Sequence, residues 1–147
     1  MRAVLTRVTE AFVEIDGEVV SGIGKGFLVL LGVKAGDSAR EAEKTADRIC
    51  GLRVFEDETG RMSIGPAEAE AEILIVSQFT LYGDVRQRRP GFTLSARPEA
   101  AEPLCELCAE ECRRRGFSVK TGRFGADMQI RSVNDGPVTL IIDTDEL

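Results

Sequence analysis

Residues 71–82, reading A-E-I-L-I-V-S-Q-F-T-L-Y, constrain this chain more than any other stretch. Ile73, Leu74, Ile75 and Val76 form a short, mostly β-branched apolar run suited to a buried strand. The run turns polar at Ser77-Gln78-Phe79-Thr80 with no glycine or proline to end the strand. A strand leaving the core with two hydroxyls, an amide and an aromatic ring displays hydrogen-bonding groups from a rigid base, where sites are usually built. Taken alone, the tetrapeptide also fits ordinary polar residues at a strand end.

The remaining pattern surrounds this strand with others. Residues 2–8 alternate, with Val4, Thr6 and Val8 on one face and Ala3, Leu5 and Arg7 on the other. Residues 12–15 and 18–23 flank Asp16-Gly17, a dipeptide suited to a two-residue hairpin turn. Residues 27–33 are continuously apolar between Gly26 and Gly36, as expected of a central strand. Ser38 with Glu41 forms a capping box, and Ala42, Ala46, Ile49 and Cys50 give the helix behind it a narrow apolar face. Residues 52–55 read as a short strand. Arg86, Arg88 and Arg89 lie in the loop 83–91. A second helix starts at Pro98 or Pro103 and ends at Arg115, before Gly116. Residues 117–120, 128–133 and 138–143 read as closing strands. The pattern predicts one α/β domain over 1–147, with a mixed sheet and two main helices.

Composition sets outer limits. The 147 residues suffice for a real core, and no apolar run approaches the roughly 20 residues that span a bilayer. No signal-peptide core follows Met1-Arg2, and the four cysteines lack the spacing of a secreted disulfide framework, so a cytoplasmic location is expected. The absence of histidine removes the usual general base. A net charge of −6 argues against a generic nucleic-acid coat but leaves room for a local basic patch. Ala101, Cys105, Cys108 and Cys112 recur at helical spacing on one face, so they read as small apolar contacts rather than metal ligands. No metal or cofactor is predicted.

Asn134-Asp135-Gly136-Pro137-Val138-Thr139 by itself reads as a turn between two strands. Arg7 shares a face with Ala3 and Leu5, unusual company for a guanidinium, and by itself reads as a side chain snorkelling to solvent. Together these stretches resemble the D-aminoacyl-tRNA deacylases. The resemblance runs through M-R-A-V-L-T-R-V, G-K-G-F-L-V-L-L-G-V, L-R-V-F-E-D-E-T-G-R-M, S-Q-F-T-L-Y, R-R-P-G-F-T, T-G-R-F-G-A-D-M and N-D-G-P-V-T-L, in order along almost the whole chain.

That resemblance implies a layered α/β fold with a curled sheet. It also implies hydrolysis of the ester joining a D-amino acid to the terminal ribose of tRNA. Thr80 is the traditional nucleophile, yet a threonine hydroxyl needs a base, and neither histidine nor a nearby lysine supplies one. The expectation is therefore RNA-assisted hydrolysis. The substrate's 2′-OH helps position or activate water, and backbone N–H groups near Phe79 and Thr80 hold the oxyanion. Ser77 and Gln78 would orient groups.

The resemblance further makes Gly136-Pro137 a cis pair whose carbonyls enter the pocket of a partner subunit, with Arg7 fixing that segment. L side chains would be excluded, and glycyl-tRNA would be cleaved as well. Phe79 after Gln78, and Gly136 directly before Pro137, match the strict D-selective branch rather than a chirality-relaxed relative. Asp127 and Met128 would lie near the adenosine. Arg86, Arg88 and Arg89 are candidates for tRNA phosphates, with Arg113, Arg114, Lys120 and Arg123 further ones. The expected partners are tRNA charged with a D-amino acid or glycine and a second copy of the chain, with no membrane. The rival expectation is a non-catalytic RNA-binding module on the same fold.

Overall fold

The computed structural model describes all 147 residues. Strand β1 (Arg2–Ile15) turns at Asp16-Gly17 into β2 (Glu18–Ile23), and β3 (Gly26–Gly32) returns along β1. Helix α1 (Ala39–Gly51) precedes a small hairpin of β4 (Phe55–Glu56) and β5 (Met62–Ile64). Then come β6 (Glu72–Ser77), a 3-10 turn (Phe79–Tyr82), α2 (Pro98–Arg114), β7 (Val119–Thr121) and β8 (Gln129–Asp143). The main sheet runs β2-β1-β3-β6-β7, with β3, β6 and β7 parallel, and β8 paired antiparallel to β1. The sheet is mixed, as the sequence pattern predicts. It curls far enough for the Ser21 hydroxyl on β2 to donate a 2.8 Å hydrogen bond to the Thr121 carbonyl on β7, the two ends of that path.

The apolar runs at β3 and β6 follow from burial on both faces. Ile73 and Ile75 of β6, with Phe27, Val29 and Leu31 of β3, meet Ala42, Ala46 and Ile49 of α1 and Ala101, Cys108 and Cys112 of α2. Leu74, Val76 and Leu28 face the other way, into the curl, against Val8, Val13 and Ile23. Alternate residues of one strand therefore feed two separate cores. The Ser38–Glu41 capping box forms as expected, with the Ser38 hydroxyl accepting from Arg40 N–H and the Glu41 carboxylate accepting from Ser38 N–H. No helix is long and apolar enough to cross a membrane.

Five boundaries differ from the sequence reading. The pieces 2–8 and 12–15 are one strand of 14 residues. The short strand placed at 52–55 lies at Phe55–Glu56, and the one placed at 117–120 lies at Val119–Thr121. Most consequential, the strands expected at 128–133 and 138–143 are a single β8 that runs through Asn134–Pro137 without reversing. Finally, β6 stops at Ser77, and Phe79 and Thr80 belong to the 3-10 turn rather than to an extended strand end.

Candidate active site

The turn that ends β6 is held by β3. Gln78 N–H donates to the Leu31 carbonyl at 2.7 Å, and Leu81 N–H closes back on the Gln78 carbonyl at 3.2 Å. Gly32 makes room for it: a Cβ there would stand 3.0 Å from the Gln78 carbonyl oxygen and 3.1 Å from Leu81 Cβ. Any side chain on Gly32 would push the turn away, which is why a strand with no internal breaker ends at this point. From the far side, the Ser95 hydroxyl donates to the Phe79 carbonyl at 2.8 Å, and Arg2 Nη1 donates to the Leu81 carbonyl at 2.9 Å. The N–H groups of Phe79 and Thr80 have no partner within the turn, and no side chain caps it.

Beside this turn lies a cleft of about 620 Å³. One wall is Ser77, Gln78 and Phe79, another is Ser95–Pro98 with Ala101 at the start of α2, and the third is 124–128. Phe79 and Phe92 meet edge to face with centroids 5.1 Å apart, and Phe79 remains 56% exposed. Most of the lining is apolar, with a few convergent polar groups, the usual make-up of a small-molecule site.

Of the residues singled out from sequence, Ser77, Gln78, Phe79, Asp127 and Met128 are brought together in this cleft. Thr80 is not among its lining residues and stands exposed on the turn. The Gln78 carboxamide donates to Thr80 Oγ1, so the hydroxyl's acceptor side is engaged and its proton points elsewhere. Thr80 makes no side-chain hydrogen bond to a carboxylate or other base.

Arg7, Gly136 and Pro137 form a separate group outside the cleft. Opposite β1, Thr6 pairs with Thr139 and Val8 with Asn134. One residue, Arg7, thus faces four, residues 135–138, and the surplus bulges outward. The Gly136-Pro137 peptide is cis, Gly136 has φ +123°, and both residues are exposed at the bulge. Arg7 is only 4% exposed, so it does not snorkel. Its Nη1 donates to the Val54 carbonyl at 2.6 Å and its Nε to the Asp135 carbonyl at 3.1 Å, with the Asp135 and Glu56 carboxylates at 3.3 and 3.7 Å. These contacts tie the base of the bulge, at Asp135, to the backbone of Val54.

The arginine loop is less uniform than its sequence. The Arg86 guanidinium is paired with Asp84 at 2.6 Å, while Arg88 and Arg89 are exposed and form no ion pair. Arg113 and Arg114 pair with Glu110 and Glu111 along α2. The cysteines of α2 pack as apolar groups, and burial pushes the Cys105 thiol up to about 12. Sequence reasoning missed Ser95 and Arg97, both in the cleft wall. A lone serine and an arginine before Pro98 carry no motif, and only the fold brings them to the turn.

A family model described as D-Tyr-tRNA(Tyr) deacylase matches residues 4–143 of the chain. The chain belongs to that family. Relatives of this D-aminoacyl-tRNA deacylase family are similar over nearly their full length. A D-aminoacyl-tRNA deacylase of Symbiobacterium thermophilum is 52% identical over 147 residues, covering 99% of this chain and 97% of that protein. One of Brevibacillus brevis is 51% identical over 145 residues, covering 98% and 100%. A solved structure described as c-Myc DNA Unwinding Element Binding Protein superposes with a TM-score of 0.92 at 42% identity, covering 98% of this chain and 99% of that one. Deacylase-family membership and the layered fold therefore agree.

Proposed function

We propose that this chain, acting as one domain over residues 1–147, is a D-aminoacyl-tRNA deacylase that uses the cleft beside the 3-10 turn. It is a hydrolase of the ester between an amino acid and the terminal ribose of tRNA. The observation that carries this reading is the uncapped turn at Phe79 and Thr80, opening beside an apolar cleft in a chain of this family. Two free N–H groups on a turn anchored at three points suit an ester oxygen as it gains negative charge, because the donors need no rearrangement.

Thr80 orients rather than attacks. With its oxygen held by Gln78 and no base against its proton, it is a poor nucleophile. Water supplies the nucleophile, positioned with the help of the substrate's own 2′-OH. Ser77 and Gln78 keep the turn and the hydroxyl in place, while Phe79, Met128 and Asp127 enclose the terminal nucleoside.

Chiral selection falls to the Gly136-Pro137 tip of a second copy of the chain. The tip is exposed, is set at its base by Arg7, and lies away from its own cleft. Its carbonyls would receive the amino group and leave no space for an L side chain, so glycine is accepted with the D-amino acids. Arg88 and Arg89 are free to meet tRNA phosphates. The reaction belongs where charged tRNA is used, in the cytoplasm.

The test is a deacylation assay on one tRNA charged with D-tyrosine or L-tyrosine, and on glycyl-tRNA. Release of D-tyrosine and glycine with the L ester spared is the expected result. Equal cleavage of both enantiomers would remove the exclusion argument while leaving the reaction. Binding of all three without hydrolysis would instead make the chain an RNA-binding module. Thr80→Ala should lower the rate on D esters, and Pro137→Ala should admit the L ester.

A further inference from the structure

We infer that Arg97 binds the phosphodiester on the 5′ side of the terminal adenosine, an assignment that rests on the deacylase reading above. Among the residues lining the cleft, Arg97 is the only cation and Asp127 the only anion. Arg97 is exposed, and its guanidinium makes neither an ion pair nor a hydrogen bond within the chain. That distinguishes it from Arg2, Arg7, Arg86 and Arg113–Arg115, all of which are paired.

Its backbone, by contrast, is well fixed. Ala96 N–H donates to the Val33 carbonyl at 2.9 Å, Ser95 is tied to Phe79, and the Arg97 carbonyl accepts from Ala100 and Ala101 at 3.0 and 2.9 Å. A free guanidinium on an anchored backbone beside the turn is poised for an anion brought by the substrate.

The chemistry of the substrate says which anion. When the acylated ribose lies at the Phe79–Thr80 turn, the first charged group of the RNA is the phosphate that joins the terminal nucleoside to the rest of the strand. Asp127 repels it from the 124–128 wall, and Arg97 attracts it to the α2 wall. The start of α2 adds little to this. Pro98 has no N–H, the N–H groups of Ala100 and Ala101 are spent on Arg97, and Glu99 already offsets the helix dipole. The contact is therefore one of side-chain charge, and bidentate geometry favours arginine over lysine.

Two substrates separate the parts: tRNA charged with D-tyrosine, and the D-tyrosyl ester of adenosine, which has no phosphate. Arg97→Ala should raise KM on the tRNA roughly tenfold with kcat nearly unchanged, as expected for loss of binding equal in ground and transition states. The slope of log(kcat/KM) against log salt should fall by about 0.7, one single-strand phosphate contact. On the nucleoside ester, variant and wild type should have the same kcat/KM. Arg97→Lys should recover part of the tRNA affinity, and Arg86→Ala, already neutralised by Asp84, should change the salt slope little.

Equal KM values for Arg97→Ala and wild type on charged tRNA would overturn the assignment. So would an equal loss on the nucleoside ester, which would place Arg97 at the adenosine instead. Wild-type protein that leaves both esters intact would overturn the deacylase reading, and this assignment with it.

Discussion

The Ser95 hydroxyl and the Phe79 carbonyl are joined by a 2.8 Å hydrogen bond that ties the segment before α2 to the turn after β6. The two residues are 16 apart in sequence, and the bond closes one side of the cleft against the groups that would hold the reacting ester. Ser95→Ala removes the donor but leaves Phe79 exposed, where water can satisfy its carbonyl. Stability should fall by about 1 kcal/mol or less, a drop in Tm of roughly 3 °C. The kcat for D-aminoacyl ester should fall about tenfold because the N–H groups lose their fixed aim. A variant with normal kcat would show that β3 and Arg2 suffice to hold the turn.

Arg7 should matter in two measurable ways. Arg7→Met leaves the Val54 carbonyl without its donor, at a cost of about 1–3 kcal/mol in denaturant unfolding. The carboxylates of Glu56 and Asp135 are 58% and 42% exposed, so losing their partner adds little. The same variant frees the base of the bulge and should lower the ratio of D to L hydrolysis. Arg7→Lys keeps the charge but not the fork that reaches both carbonyls, so it should rescue discrimination only in part. An unchanged D to L ratio in Arg7→Met would separate the arginine from selectivity.

Acid should loosen the joint where the chain's first and last strands meet. Asp143 accepts from Arg2 Nε at 2.8 Å and from Asp145 N–H at 3.0 Å. Burial pushes its carboxyl up, but Arg2 and the backbone donor outweigh this, and the net direction is below the usual carboxylate value. A group depressed in the folded state stabilises above its unfolded pKa of about 3.9, and that contribution is lost as pH falls through the folded value. Asp143→Asn should therefore be less stable than wild type at pH 7, with the gap closing below about pH 4. Thermal melts across pH 2–7 would show it, and a gap that persists at the acid end would refute it.

Tyr82 gives a prediction of the opposite sign. Its ring is buried at the end of the 3-10 turn and carries the Arg2 guanidinium at 4.7 Å from its centre, yet its hydroxyl has no hydrogen-bond partner. Tyr82→Phe keeps the ring and removes the stranded group. It should be neutral or stabilising by up to about 1 kcal/mol, and kcat should hold. Destabilisation beyond that in a melt would mean the hydroxyl is satisfied in solution.

These residues also show what a sequence can and cannot reveal. Ser38 with Glu41 and Asp16-Gly17 act on their own backbone within a few residues, so their motifs predict the cap and the hairpin directly. The two apolar runs at β3 and β6 announce burial on both faces because nothing but a second core could cover them. Asn134–Pro137 carries every local sign of a reversal, yet β8 continues, because Arg7 and the β1 ladder on either side fix the strand from a distance. The end of β6 is likewise set by Gly32 and Leu31 on another strand. Ser77, Gln78 and Phe79 of the cleft were legible by composition and resemblance, whereas Ser95 and Arg97 reach it only through tertiary placement.

The outward position of the Gly136-Pro137 tip bears on fidelity. In one polypeptide the tip is exposed and the cleft lies elsewhere. On the proposed two-copy site, the power to cleave an ester and the power to judge its handedness reside on different molecules. Stereochemical accuracy then becomes an equilibrium property: dilution below the dissociation constant would erode discrimination along a mass-action curve. A single copy would keep the cleft and the turn but lose its means of refusing an L substrate.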